Sequence, residues 1–258
     1  MNINDISTQL IYTTVPIYTQ NQDLVSSGTG FIFSMIESDI SSIPFLVTNY
    51  HVLENMENGY FELHIAKNNK PTNETIRIQF NRNILLNNKL ENLDLVAIPI
   101  AGMLDELNSK GINLFYRTID QNIIPNSEQV RNLSSMEQIT FIGYPNGIYD
   151  TVNKIPVLRQ GITATPIWNE FQGKKEFLID AGVFPGSSGS PVFIYNSGSY
   201  PTNDGIVIGN RLLFVGIVTQ TLQQVNENKN YLDLGIVINS NAMQEEINKL
   251  IEKIKKRQ

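Results

Sequence analysis

The sequence predicts an all-β chain of two six-stranded antiparallel β-barrels followed by a C-terminal α-helix. Three observations predict it. Short apolar runs recur along the 258 residues, each bounded by Gly, Pro, Asn or Ser. They fall into two sets of about six, divided by a stretch with little periodicity. A clear helical repeat appears only at the C-terminus.

The first set comprises Leu10–Tyr18, Gly30–Met35, Phe45–Asn49, Phe61–Ala66, Thr75–Phe80 and Leu93–Ile100. The second comprises Gln138–Gly143, Val157–Thr165, Glu176–Ile179, Pro191–Ile194, Ile206–Gln220 and Leu232–Ile238. Met103–Lys110, ended by Gly111, reads as a short helix. Met243, Ile247, Leu250, Ile251 and Ile254 share one helical face, with Asn241 or Ser240 as the cap. The expected divisions are a first barrel over residues 1–118, a crossover over 119–136, a second barrel over 137–240 and a helix over 241–258.

Composition narrows the function. Hydrophobic content of 41% with 17% charged residues fits a chain that buries a core. The net charge is −6 and the pI about 5.0, so nothing recruits nucleic acid or an acidic membrane. The one basic run, Lys253 to Arg257, sits at a helix C-terminus, where the helix dipole favours cations. The absence of cysteine excludes disulfides and thiolate metal sites. No apolar stretch reaches the ~18 residues that span a bilayer. The N-terminus lacks a basic start followed by an apolar core, so the expectation is a soluble, cytoplasmic product.

The chemistry concentrates at Gly186-Ser187-Ser188-Gly189-Ser190-Pro191. Glycines let the backbone turn sharply and approach a substrate closely. Amide groups in such a turn can converge on a developing oxyanion. Taken alone, the segment also reads as a flexible linker. Upstream, Phe45-Leu46-Val47-Thr48-Asn49-Tyr50-His51 is an apolar run ending in a histidine, and Asp94 heads the apolar run Leu95–Ile100. Each has a plainer explanation, a hydrogen-bonded structural His and a turn Asp. Together they supply a hydroxyl, a base and a carboxylate that fixes the base's tautomer.

These segments resemble the trypsin-like serine peptidases of the chymotrypsin fold, and among them the bacterial HtrA-type proteases and glutamyl endopeptidases. Ser27-Gly28-Thr29-Gly30-Phe31, Ile142-Gly143-Tyr144-Pro145, Asp180–Pro185, Val215–Val218 and Leu234–Asn241 extend the resemblance over roughly residues 10–250. The expectation is a peptidase unit without the PDZ module of HtrA-type proteins.

The resemblance implies catalytic His51, Asp94 and Ser188, with an oxyanion hole made by the amides of Gly186 and Ser188. It implies no cofactor and no metal. Gly182 falls at the floor of the pocket for the residue before the scissile bond, and Val183 and Val218 fall on its walls. That set carries no charge, so cleavage is expected after small or medium apolar residues. Glutamyl endopeptidases place a histidine where this chain has Val218. Ser187 stands where activatable zymogens carry an aspartate, so maturation by a freshly cut N-terminus is not expected. His64 reads as a solvent-side strand residue. The expected partners are protein or peptide substrates, with neither nucleic acid nor membrane, while control by a regulatory partner or a homo-oligomer stays open. Two other readings are an idle trypsin-like module that binds peptides or proteins and a protease effector in a bacterial stress or defence system.

Overall fold

The computed structural model describes residues 3–21, 24–38, 41–223 and 231–256. Arg257, the end of the expected basic run, lies outside them. The chain opens with helix α1 (Ile6–Ile11), whose N-cap Asp5 accepts from the Thr8 amide. The strand expected from Leu10 therefore starts later, at Thr14. Thr13 closes the helix by donating its hydroxyl to Leu10 O.

The first sheet contains β1 (Thr14–Asn21), β2 (Leu24–Ser38), β3 (Ser41–Asn49), β4 (Asn58–Lys67), β5 (Lys70–Asn81) and β6 (Leu95–Pro99) in the order β5-β4-β1-β2-β3-β6. Two short strands join it. β7 (Leu114–Phe115) pairs with β4, and β8 (Ile119–Asp120) pairs parallel to β2. The expected six-stranded antiparallel barrel is thus corrected. Among the described residues the hydrogen-bonded path stays open between β5 and β6. The segment that links them is the reason. Leu90 N donates to Leu95 O and Ala97 N to Asn88 O, so the linker occupies the free edge of β6. Short helix α3 (Arg82–Asn87) bridges the gap, and its Leu85 packs with Ile78, Phe80, Val96 and Ile98. Side-chain burial closes this sheet where backbone pairing does not.

The second sheet is a closed barrel. β9 (Gln138–Gly143), β10 (Val157–Thr163), β11 (Glu176–Asp180), β12 (Pro191–Asn196), β15 (Arg211–Gln223) and β16 (Tyr231–Asn239) run in the order β10-β11-β16-β15-β12-β9. β12 also pairs with β9, which completes the ring. The run expected as one strand from Ile206 is split. A separate hairpin, β13 (Ser199–Thr202) with β14 (Gly205–Ile208), precedes β15, and the break falls at Gly209 with φ +150°. The crossover is ordered by α5 (Ser127–Arg131), where Asn126 and Gln129 form a reciprocal capping box.

A shared core joins the two sheets. Phe31, Phe33, Phe45 and Val47 from the first meet Phe193, Phe214 and Ile217 from the second. The Phe214 ring lies 5.4 Å from Phe31 and 5.7 Å from Phe193. Met243, Ile247 and Leu250 of the C-terminal helix seal the same cluster. Two further helices lie between strands, α2 (Tyr50–Leu53) after β3 and α4 (Ala101–Ser109) after β6. The C-terminal helix, α6, spans Ser240–Lys255. Its N-cap is Asn239, one residue before the expected Ser240 or Asn241, and its side chain accepts from Asn241 N. No described helix is long and apolar enough to cross a membrane.

Candidate active site

Strand β3 is buried along its second half, and at Asn49 it turns into α2. The first amides of a helix have no intrahelical acceptor. Here they grip one residue. Tyr50 N donates to Asp94 O at 3.1 Å, and His51 N donates to Asp94 Oδ1 at 3.0 Å. Asn49 Nδ2 adds a second bond to Asp94 O at 2.9 Å. The other carboxylate oxygen, Oδ2, lies 2.5 Å from His51 Nδ1.

Thr219 on β15 donates its hydroxyl to that same Oδ2 at 3.0 Å. Burial pushes the Asp94 carboxyl up, but the bonds from the His51 ring and amide and from Thr219 outweigh it and hold the group below its usual range. An ionised Asp94 can only accept, so His51 carries its proton on Nδ1. In the neutral imidazole the lone pair then falls on Nε2. Sequence reasoning missed Thr219, because a threonine in a strand carries no distinguishing signal.

Ser188 sits on the turn between β11 and β12. The turn is fixed by its backbone. Ser187 N donates to Phe184 O, Ser190 N to Ser187 O and Gly189 N to Val218 O. Thr29 on β2 clamps it from the other sheet, donating N–H to Ser188 O at 3.0 Å and its hydroxyl to Gly186 O at 2.7 Å. The Ser27–Phe31 motif contained this residue, but nothing in the sequence marked it as a clamp. Gly189 has φ +89°, and a Cβ there would stand 1.9 Å from Thr29 O. The turn therefore requires glycine at that position.

Pro185 O is drawn away by Asn146 N at 2.6 Å. Among the described residues, the amides of Gly186 and Ser188 donate to no protein acceptor. Both residues are only half-buried. The two donors are thus without a protein acceptor among these residues. The Ser188 hydroxyl donates to Thr219 O at 3.0 Å and not to the His51 ring. Ser187 is buried and its hydroxyl accepts from the Phe184 amide.

The expected pocket residues sit differently from the reading of the sequence. Val183 and Val218 are 3% and 0% exposed and belong to the core cluster of the closed barrel, so neither presents an apolar wall to solvent. The pairing of β12 with β15 skips Val215, and beyond that irregularity Val218 shares the inward-facing set with Leu213 and Val215. Gly182 is half-buried, and Arg159 Nη2 would lie 2.8 Å from a Cβ built on it. A guanidinium thus stands beside the residue expected at the pocket floor. Among the described residues no group of three or more His, Cys, Asp or Glu side chains is arranged to hold a metal ion.

His64 also departs from its expected place. It is part-buried, with Nδ1 2.8 Å from Thr72 O, Nε2 3.1 Å from Lys154 O and its ring edge against Tyr12. It ties the first sheet to the loop ahead of β10. No bond connects it to Asp94 or Ser188.

A family model described as the trypsin-like peptidase domain matches residues 28–199, well over half of the chain. The chain belongs to that family. The trypsin-like assignment extends to solved structures of the same fold. An HtrA-type protease, AlgW, solved with a tripeptide, superposes with a TM-score of 0.56 at 16% identity, covering 95% of this chain and 62% of that one. A serine endoprotease from Yersinia pestis gives 0.53 at 18% identity, covering 95% and 64%. The chain thus spans less than two thirds of the length of either structure. No curated protein matches it in sequence.

Proposed function

We propose that this trypsin-like domain is a serine endopeptidase working through Ser188, His51 and Asp94. Residues 1–118 supply the base and its carboxylate, and residues 137–240 supply the nucleophile. One observation carries the reading. Asp94 Oδ2 lies 2.5 Å from His51 Nδ1 and accepts from the Thr219 hydroxyl of the second sheet, an arrangement that supports His51 as an oriented base.

The reaction requires Ser188 Oγ to leave Thr219 O and bond to His51 Nε2. Apo enzymes often hold such contacts loosely until substrate arrives. Oγ then attacks the peptide carbonyl as Nε2 takes its proton. The carbonyl oxygen becomes an oxyanion between the amides of Gly186 and Ser188. Asp94 stabilises the imidazolium that forms. His51 passes the proton to the leaving amine, and an acyl-enzyme remains on Ser188. Water attacks it with His51 again as base, which releases the acid and restores the hydroxyl.

An idle peptide-binding module is the second reading, and the Ser188–Thr219 bond favours it. The two amides left without a protein acceptor weigh against it, since binding alone has no need of an oxyanion site. Ser188→Ala and His51→Ala separate the two. Each should abolish cleavage of a denatured protein substrate and leave the melting temperature nearly unchanged, because both side chains line a cleft. Equal cleavage by wild type and Ser188→Ala would refute the mechanism.

A further inference from the structure

Arg159 lies on β10, directly opposite Phe141 on β9. Paired residues of neighbouring antiparallel strands point to the same face, and Phe141 belongs to the core of the closed barrel. The Arg159 side chain thus runs along the inner face toward the nucleophile turn. Its guanidinium stands 6.0 Å from the centre of the Phe141 ring and 4.9 Å from that of Phe184. A side chain built on Gly182 would meet Arg159 Nη2 at 2.8 Å and the Phe184 ring at 3.3 Å. The guanidinium and the Phe184 ring therefore fill the room that a side chain at Gly182 would take, which puts the cation at the Gly182 position itself.

Arg159 is part-buried, and among the described residues it forms no ion pair. A partly desolvated guanidinium beside two aromatic rings keeps its five donors and lacks a counter-ion. Its planar fork matches a carboxylate, and the match is stronger away from bulk water. An apolar substrate side chain would cover the charge without pairing it. A lysine or arginine would be repelled.

We propose that Arg159 binds the side-chain carboxylate of the substrate residue on the acyl side of the scissile bond. The substrate class is then peptides with Asp or Glu at that position. This rests on the endopeptidase reading and on Gly182 marking the pocket floor. It replaces the preference for apolar residues that the sequence alone suggests. The recognising group comes from β10, away from the Val218 position where glutamyl endopeptidases carry histidine.

The test uses four peptides that differ only in Glu, Gln, Leu or Lys before the cut bond. Wild type, Arg159→Gln and Arg159→Lys are compared for kcat/KM on each, and for the rate at which a fluorophosphonate labels Ser188. Wild type should favour Glu over Gln by about 100-fold or more, in line with sites built to pair a polar group. Arg159→Gln should lose that ratio mainly through the Glu peptide, and its labelling shows that Ser188 still reacts. Arg159→Lys should keep part of it. A labelled wild type that prefers Leu or Lys overturns the specificity and leaves the peptidase reading standing, as does an unchanged Glu to Gln ratio in Arg159→Gln. A wild type that neither labels nor cleaves overturns both. Should Arg159→Gln fail to fold, the wild-type ratio and Arg159→Lys decide.

Discussion

The open sheet aims His51 through a side chain, the Asp94 carboxylate, and the closed barrel aims Ser188 mainly through the backbone of its turn. His51 is aimed by the Asp94 carboxylate, which is itself fixed by α2 amides and by Thr219. Asn49 holds the Asp94 carbonyl. Ser188 is aimed by amide-to-carbonyl bonds and by two glycines at positive φ, Gly186 and Gly189. The sheets differ in the same sense. The first is closed by apolar packing across β5, α3 and β6, the second by a complete ring of strands. The difference predicts that substitutions on the first side damage chemistry and spare the fold. On the second side they damage the fold.

Asp94→Asn breaks the comparison most sharply. Turnover should fall by about 10⁴-fold, as the wrong tautomer of His51 is then favoured. Stability should fall only modestly at neutral pH. The carboxyl is held below its usual value in the folded protein, so its contribution is complete above the unfolded value of about 3.9. It is lost as pH falls through the lower folded value. Denaturant titrations of wild type and Asp94→Asn should therefore converge below about pH 4. A constant gap down to pH 2 would mean that the bonds to Asp94 are not what lowers it.

Gly189→Ala tests the barrel side. A left-handed alanine costs about 1–2 kcal/mol before any contact is counted. Its Cβ would also press on Thr29 O, a backbone atom that cannot swing aside. A loss of about 3 kcal/mol or more is expected, which lowers Tm by roughly 6–12 °C for a chain of this size. An unchanged Tm would show that the turn relaxes and that its geometry is less constrained than the bonds imply.

Thr219→Val has the smallest expected effect and sharpens the link between the halves. It removes one hydroxyl bond to Asp94 and keeps the carbonyl that receives Ser188. A fall of about 10-fold in kcat/KM, with Tm nearly unchanged, fits the loss of one hydrogen bond to a charged group. No change in rate would make Thr219 a bystander.

The residues of the proposed site stand out in the sequence for a definable reason. His51, Asp94 and Ser188 each sit where an apolar strand meets a turn, and such edges are visible in one dimension. The C-terminal helix was equally open to reading, since Met243, Ile247 and Leu250 keep a helical period and are buried as expected. What stayed hidden depends on pairing across long sequence distances. Thr29 meets Ser188, Thr219 meets Asp94, and His64 meets Lys154. Arg159 alternates with Leu158 and Gln160 like any strand residue, and its proximity to Gly182 follows only from barrel closure. The open edge of β6 was hidden too. Whether a linker or a strand occupies an edge is decided by competing hydrogen bonds that no periodicity records.

Mapping of a fluorophosphonate adduct tests the central claim most directly. Wild type, Ser188→Ala, His51→Ala and Asp94→Asn are treated with the probe, digested and examined by mass spectrometry. The predicted result is a single adduct on Ser188 in wild type, none in Ser188→Ala, and labelling slowed by orders of magnitude in the other two variants. An adduct on Ser187 or Ser190, or none on the folded wild-type protein, would contradict the assignment of Ser188, His51 and Asp94 as one catalytic unit.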